Sequence, residues 1–396
     1  MARISSMYLR ADSMDHAKES IAPGSKPADW SSTGSSSSSS SPSNPPNNDM
    51  NSSVSDDTTG GFVDINGRVF HDNVARIPGS SFNNDVHGDG LPHIPAVLTG
   101  LLEKWPAFSQ PGTSWNVQDL ASRTTNRVSL DGGPSFARMS MCSGKVTMKE
   151  YQRYCENGAD GDSAPLYVFD PDILASSFDH YEDGISSSSS SSVAHAFSTP
   201  ACFSNDAMGC INGTEYRPLP PAWLLVGVTR SGTPIHNHPL TVAWNALLVG
   251  CKLWCCLPPT VDENLLLLNL DDESDNDFDL SAVDWFQQCG PLPDEAKIIV
   301  QRPGEVVFLP CGWFHVVLNV DTSTAISVSL TLRRDLEEAM SLLMKEDKDF
   351  AAFWVDRLLK ESVYEHIVNG MDLEELNERN ESQELLFDGT EKISMM

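Results

Sequence analysis

The sequence predicts a mainly β fold, a sandwich or barrel with helical additions before and after it. Between Trp223 and Leu330, short apolar segments recur with Gly and Pro between them, a punctuation that marks β sandwiches and barrels. Beyond Arg333, the apolar residues Leu336, Ala339, Met340, Leu343, Phe350, Phe353, Trp354 and Leu358 recur near helical spacing, which predicts one or two amphipathic helices. At 396 residues the chain can bury a core of ordinary size.

Residues 1–60 are expected to be disordered. The run Ser35 to Ser41 leads into Pro42, Pro45 and Pro46 among Asn and Ser, a composition that buries too little apolar surface to offset chain entropy. Residues 61–220 read as an α+β part. Leu91 to Thr99 reads as a short apolar strand running into a helix that stops before Pro106, because the residue preceding proline disfavours the α conformation. Trp115 to Ala121 predicts a second short helix, and Val146 to Tyr154 a third, with Thr147 as its cap and Glu150 three residues on. Leu166 to Asp170 is a compact strand, and the serine tract at residues 186–192 reads as a flexible inserted loop.

Residues 221–332 form the β-rich core. The expected strands are Trp223 to Val228, Ile235 to His238, Val242 to Leu248, Lys252 to Leu257, Lys297 to Gln301, Val306 to Leu309, His315 to Asn319 and Ala325 to Leu330. Residues 262–284, with Asp271-Asp272-Glu273-Ser274-Asp275-Asn276-Asp277, lack the turn glycine of a calcium loop and are expected to be a solvated acidic insertion. Residues 333–396 make a C-terminal helical segment whose acidic end after Met371 frays.

A formal net charge of −29 argues against a general electrostatic grip on nucleic acid and favours a basic peptide or protein as partner. Nine cysteines, an odd number without any C-x-x-C pair, fit a reducing compartment rather than a disulfide framework. The start, Met1-Ala2-Arg3-Ile4-Ser5-Ser6-Met7, lacks the apolar segment of a secretory signal. Nor does any apolar run approach the roughly 18 residues that span a bilayer. An intracellular protein of the nucleus or cytoplasm is expected, without membrane contact; no motif defines the oligomeric state.

The chemistry concentrates in two stretches. The first holds Gly232-Thr233-Pro234-Ile235-His236-Asn237-His238-Pro239; the second, Gly312-Trp313-Phe314-His315, places a third histidine 79 positions after the first (315 − 236). Residues i and i+2 of a strand share a face, so His236 and His238 can aim imidazoles at one ion while His315 joins from a neighbouring strand. Such donors suit iron, zinc, copper or nickel. The alternative for each, a structural histidine, stays open on spacing alone. Lys252 within Gly250-Cys251-Lys252-Leu253-Trp254 reads as a lysine inside a strand, and Tyr167 as core packing or pocket lining. Trp244, Trp254 and Trp313 read as core and pocket wall, Glu305 as a turn residue, and Cys251, Cys255 and Cys311 as small buried residues.

The runs Trp223 to Gly227, Arg230 to His236, Ala243 to Leu247 and Gly304 to Asn319 resemble the Jumonji-C (JmjC) oxygenases, and within them the branch of the bifunctional arginine demethylase and lysyl hydroxylase. The resemblance covers about residues 90–335. It implies a double-stranded β-helix, a cupin-like jelly roll, that binds Fe(II), 2-oxoglutarate and dioxygen. His236, His238 and His315 would hold the ion. The family carries aspartate where this chain has His238, so three imidazoles replace the usual two histidines and one carboxylate. The resemblance further implies that Thr233 and Lys252 hold the cosubstrate, that Tyr167 and Asn245 line its pocket, and that Ser327 takes the place of a hydroxyl residue on the last strand. The implied activity is hydroxylation, with or without demethylation, of lysine or arginine side chains of proteins. Two alternatives are a JmjC-like binding or scaffold protein whose altered triad no longer turns over, and a cupin-fold metal protein with other chemistry.

Overall fold

In the computed structural model, the chain is described at residues 54–55, 61–109, 115–124, 127–131, 145–162, 165–175, 197–217, 221–262, 265–266 and 280–371. Nearly all of the N-terminal tail, the serine tract at 186–192, most of the acidic segment and the end after Met371 lie outside the described residues.

The strands are, in order, β1 Val54–Ser55, β2 Phe62–Ile65, β3 Arg68–His71, β4 Arg76–Pro78, β5 Ala96–Thr99, β6 Arg127–Val128, β7 Leu130–Asp131, β8 Val146–Thr147, β9 Tyr167–Asp170, β10 Ala222–Gly227, β11 Gly232–His236, β12 Val242–Val249, β13 Lys252–Leu257, β14 Lys297–Gln301, β15 Val306–Leu309, β16 Phe314–Asn319 and β17 Ser323–Leu330. One sheet has the order β4-β5-β15-β12-β17-β10-β9-β7 and a second the order β11-β16-β13-β14. From β10 onward the chain passes back and forth between them: β10, β12, β15 and β17 fall in the large sheet, and β11, β13, β14 and β16 in the small one. These eight strands are a double-stranded β-helix.

Alternation along each strand separates an inside from an outside. On β12, Trp244, Ala246 and Leu248 face outward, into a core shared with Leu98, Trp105, Trp115, Leu120, Met148 and Phe203 of the N-terminal part. Phe203 stacks on Trp244 at 5.4 Å between centroids. The intervening Ala243 faces inward with Trp254, Cys256, Ile299, Val307 and Val317, and Leu247 does so with Tyr167, Leu225 and Ala325. The N-terminal part therefore covers the large sheet from outside and leaves the interior for a site.

Local signals account for most elements. Thr147 accepts from the Glu150 amide while the Glu150 carboxylate accepts from the Thr147 amide, closing the expected capping box on helix Met148–Asn157. Asn116 caps Val117–Arg123 through the Asp119 amide. The expected helix before Pro106 is corrected: Leu101 to Trp105 is a turn, and the helix is Pro106–Ser109, because proline lacks only an amide that the first helical position leaves unbonded anyway. The acidic segment needs correction at its end as well. Ser281 caps a helix, Ala282–Gln288, whose Ala282, Val283, Trp285 and Phe286 are buried and which packs on β11 and β16. Helices Leu336–Glu346, Lys348–Leu358 and Glu365–Gly370 gather Met340, Leu343, Trp354 and Val368 around Met208, Ile211 and Leu240.

Candidate metal centre and adjoining pocket

His236 ends β11 and sits opposite His315 of β16, across a register irregularity that follows Thr233. His238 lies beyond the end of the strand, so the expectation of two ligands alternating along one strand holds only for the first. The loop bearing His238 is pinned to the turn between β15 and β16. The Gly312 amide donates to the His238 carbonyl at 2.9 Å, and the Cys311 thiol to the Pro239 carbonyl at 3.0 Å. Gly312 holds φ at +76°, a left-handed conformation that glycine adopts without a steric penalty. On the other side Leu240 is buried among the C-terminal helices.

This framework puts the three rings together. Centroids of His236 and His315 are 4.1 Å apart, those of His236 and His238 5.1 Å, and those of His238 and His315 5.2 Å. One nitrogen from each lies within 4.8 Å of the others. His236 Nδ1 is 2.8 Å from the Pro234 carbonyl and His315 Nδ1 3.2 Å from the Trp313 carbonyl. A carbonyl can only accept, so these contacts assign the proton to Nδ1 and leave Nε2 with its lone pair for an ion. Burial lowers the pKa of all three, that of His238 to about 3, with neighbouring histidines adding repulsion at His238 and His315. The imidazoles are neutral at pH 7, the state that ligation needs. The donor set therefore fits a divalent ion that accepts nitrogen, iron and zinc among them; among the described residues no carboxylate joins the cluster.

Lys252 lies on the inner face of β13 opposite Asn319, four residues along β16 from His315, about 13 Å at roughly 3.3 Å per residue. Its Nζ donates to Asn319 Oδ1 at 2.6 Å and to the Tyr167 hydroxyl at 3.0 Å. Asn319 Nδ2 in turn donates to Ser231 Oγ at 2.8 Å, and that hydroxyl donates to the Val228 carbonyl at 2.6 Å. The direction of the chain fixes the amide with its oxygen toward the lysine. Space for this network comes from Gly227, where a Cβ would stand 2.2 Å from Asn319 Nδ2 and 2.4 Å from Ser231 Oγ. Lys252 is 1% exposed, and burial lowers its pKa to about 7. Among the described residues it has no carboxylate partner.

The remaining expected residues line the same interior. Asn245 on β12 faces Ser327 on β17. Its backbone carbonyl accepts from Gln301 Nε2, while its side-chain Oδ1 is buried with no partner, an arrangement completed by a bound donor. Thr233 is half-buried on β11 opposite Val317. Trp254 places its ring over His315 at 6.0 Å and ties its indole to Gln301. A buried cation without an anion and two hydroxyls suit a small dicarboxylate, whereas the orphaned amide oxygen calls for a donor that a carboxylate does not offer. Sequence reasoning overlooked Asn319, Ser231, Gly227 and Gln301. The signal for Asn319 was its parity with His315 on one strand.

Fold and site together are a double-stranded β-helix with three clustered histidines and a buried lysine on its inner face. The family model described as "JmjC domain, hydroxylase" matches residues 223–330, the span of β10 through β17, and over that span the chain is similar to JmjC-domain proteins. It is 29% identical over 306 residues, 74% of this chain and 70% of the relative, to the bifunctional arginine demethylase and lysyl-hydroxylase psr-1 of Caenorhabditis elegans. It is 26% identical to the arginine-specific demethylase JMJ22 of Arabidopsis thaliana over 72% of this chain and 52% of that protein. With the 2-oxoglutarate and iron-dependent oxygenase JMJD4 of Gallus gallus it shares 31% identity over 33% of this chain and 31% of the relative.

Proposed function

We propose that the chain is an Fe(II)- and 2-oxoglutarate-dependent dioxygenase that hydroxylates, and on N-methyl groups demethylates, lysine or arginine side chains of proteins. The observation that carries this is a cluster of three neutral imidazoles, two of them on strands of a β-helix whose inner face also carries an uncompensated buried lysine. The similar proteins include a bifunctional arginine demethylase and lysyl-hydroxylase and an arginine-specific demethylase, which supports this substrate class. The acidic balance of the chain suits a basic target. An intracellular setting, nuclear or cytoplasmic, fits described cysteines that are all free thiols.

His236, His238 and His315 would hold the iron. When bound with 2-oxoglutarate and dioxygen, the metal supplies the oxidation, with succinate and carbon dioxide as coproducts. Lys252 and Thr233 would hold the distal carboxylate, Lys252 as a point charge held in place by Asn319 and Tyr167. Asn245 and Ser327 would meet the body of the cosubstrate. The apolar inner face, with Trp254, Val307 and Val317, keeps bulk water from the site.

The test is incubation with Fe(II), 2-oxoglutarate and ascorbate against lysine, arginine and methylarginine peptides, read by mass spectrometry and by succinate. The proposal expects one added oxygen, or methyl loss with formaldehyde, in step with succinate and absent in His236→Ala. Metal binding without any turnover would favour the second reading, a JmjC-like binding or scaffold protein. The observation behind that reading is His238, where a carboxylate completes the usual facial set.

A further inference from the structure

We propose that metal and dicarboxylate load this site cooperatively, because the bound dianion supplies the negative charge that the protein withholds, and that 2-oxoglutarate thereby governs how much of the protein carries metal. The inference rests on the functional reading above and concerns the order and strength of loading, on which that reading is silent.

The histidine cluster brings no formal charge. Its nitrogens come from three imidazoles, two of them fixed as neutral Nδ1–H tautomers by the Pro234 and Trp313 carbonyls. An aspartate in place of His238 would cancel one of the ion's two charges; His238 cancels none. Farther along the same face stands Lys252, whose hydrogen-bond acceptors, Tyr167 and Asn319, are both neutral. The interior between is buried, with Trp254 and Val317 on the adjacent strands, so charges there are screened less than at the surface. A divalent ion entering alone adds its charge to a cavity that already favours anions.

A dicarboxylate reverses the balance. With one end at the ion and the other at Lys252, it would place a negative charge beside each positive one. Coupling between two ligands is reciprocal, so the factor by which 2-oxoglutarate tightens the metal equals the factor by which the metal tightens 2-oxoglutarate. Couplings of roughly 5- to 150-fold are ordinary. Here the factor should exceed by about tenfold that of the same protein with a carboxylate at position 238, since the dianion then meets one positive charge fewer.

The experiment titrates the full chain anaerobically with Co2+, followed by its visible absorption, with and without saturating 2-oxoglutarate. The native protein is compared with His238→Asp and with His238→Glu, whose longer side chain approaches the reach of an imidazole; circular dichroism confirms that each variant folds. The proposal expects Co2+ to tighten about tenfold more on adding 2-oxoglutarate in the native protein than in whichever carboxylate variant folds. Equal tightening in native and variant overturns it while leaving the functional reading intact. If 2-oxoglutarate changes Co2+ affinity in none of the proteins and equilibrium dialysis finds it unbound, the functional reading fails as well.

Discussion

Lys252 and Asn319 face each other across β13 and β16, with the ammonium donating to the amide oxygen at 2.6 Å. The amide cannot turn its nitrogen toward the lysine, because that nitrogen is engaged by Ser231. The lysine is thus held in position without being neutralised, as a site for an incoming carboxylate requires.

Asn319→Asp reverses that condition with almost no change in shape. The new carboxylate pairs with Lys252 and competes with the distal carboxylate of the cosubstrate. Affinity for 2-oxoglutarate, measured by calorimetry on Co2+-loaded protein, should fall at least about tenfold, a normal cost for a misplaced buried charge. Unchanged affinity would remove Lys252 from the cosubstrate site.

The same lysine predicts a pH dependence. Its pKa is lowered by burial from 10.5 to about 7. Below pH 7 the free protein already carries the charge and affinity for the dianion is flat in this term. Above pH 7 binding must take up a proton, so 2-oxoglutarate affinity should fall by up to about tenfold per pH unit. Stability of the ligand-free protein moves oppositely. Between pH 7 and 10.5 the unfolded chain holds more protons at this residue, and the cost of burying it lessens as pH rises. Calorimetry in buffers of different ionisation enthalpy measures the uptake; an affinity flat from pH 7 to pH 9 contradicts the assignment.

Gly227→Ala should damage the pocket and spare the metal centre. Its Cβ would meet Asn319 Nδ2 at 2.2 Å, Ser231 Oγ at 2.4 Å and Tyr167 Cδ2 at 2.7 Å, so the network that orients Lys252 must shift. Overpacking of this kind costs about 1–3 kcal/mol. Thermal unfolding should show the loss and cosubstrate affinity should drop, while Co2+ affinity without cosubstrate stays within about threefold.

Gly312→Ala tests the opposite side. The positive φ costs a non-glycine residue roughly 1–2 kcal/mol, and relief of that strain would disturb the Gly312–His238 hydrogen bond. Metal affinity should fall about tenfold, in the range found for groups that orient ligands. The comparison with Gly227→Ala separates metal from cosubstrate effects.

Much of the core was legible because its strands end at Gly and Pro: β13, β14 and β15 have the expected limits. The β2–β3 hairpin, turning on Asn66-Gly67 with φ of 52° and 84°, carried a strong local signal and was still passed over, since the short strands around it lack a long apolar run. Helix Ala282–Gln288 was hidden by the acidic residues before it. At the site, spacing indicated the three histidines, but the loop position of His238 depends on the turn at Gly312, some 70 residues away in sequence and so beyond any local pattern. Asn319 and Gly227 act through contacts between strands that only the assembled sheet reveals.

The central claim is that three imidazoles and Lys252 form a working iron and 2-oxoglutarate site. Anaerobic addition of Fe(II) and then 2-oxoglutarate to the purified chain, followed by optical absorption, tests it most directly. The account predicts a weak charge-transfer band that requires both additions, is lost in His315→Ala, and decays in air with formation of succinate. Absence of the band at saturating Fe(II) and 2-oxoglutarate in protein shown by circular dichroism to be folded would contradict it.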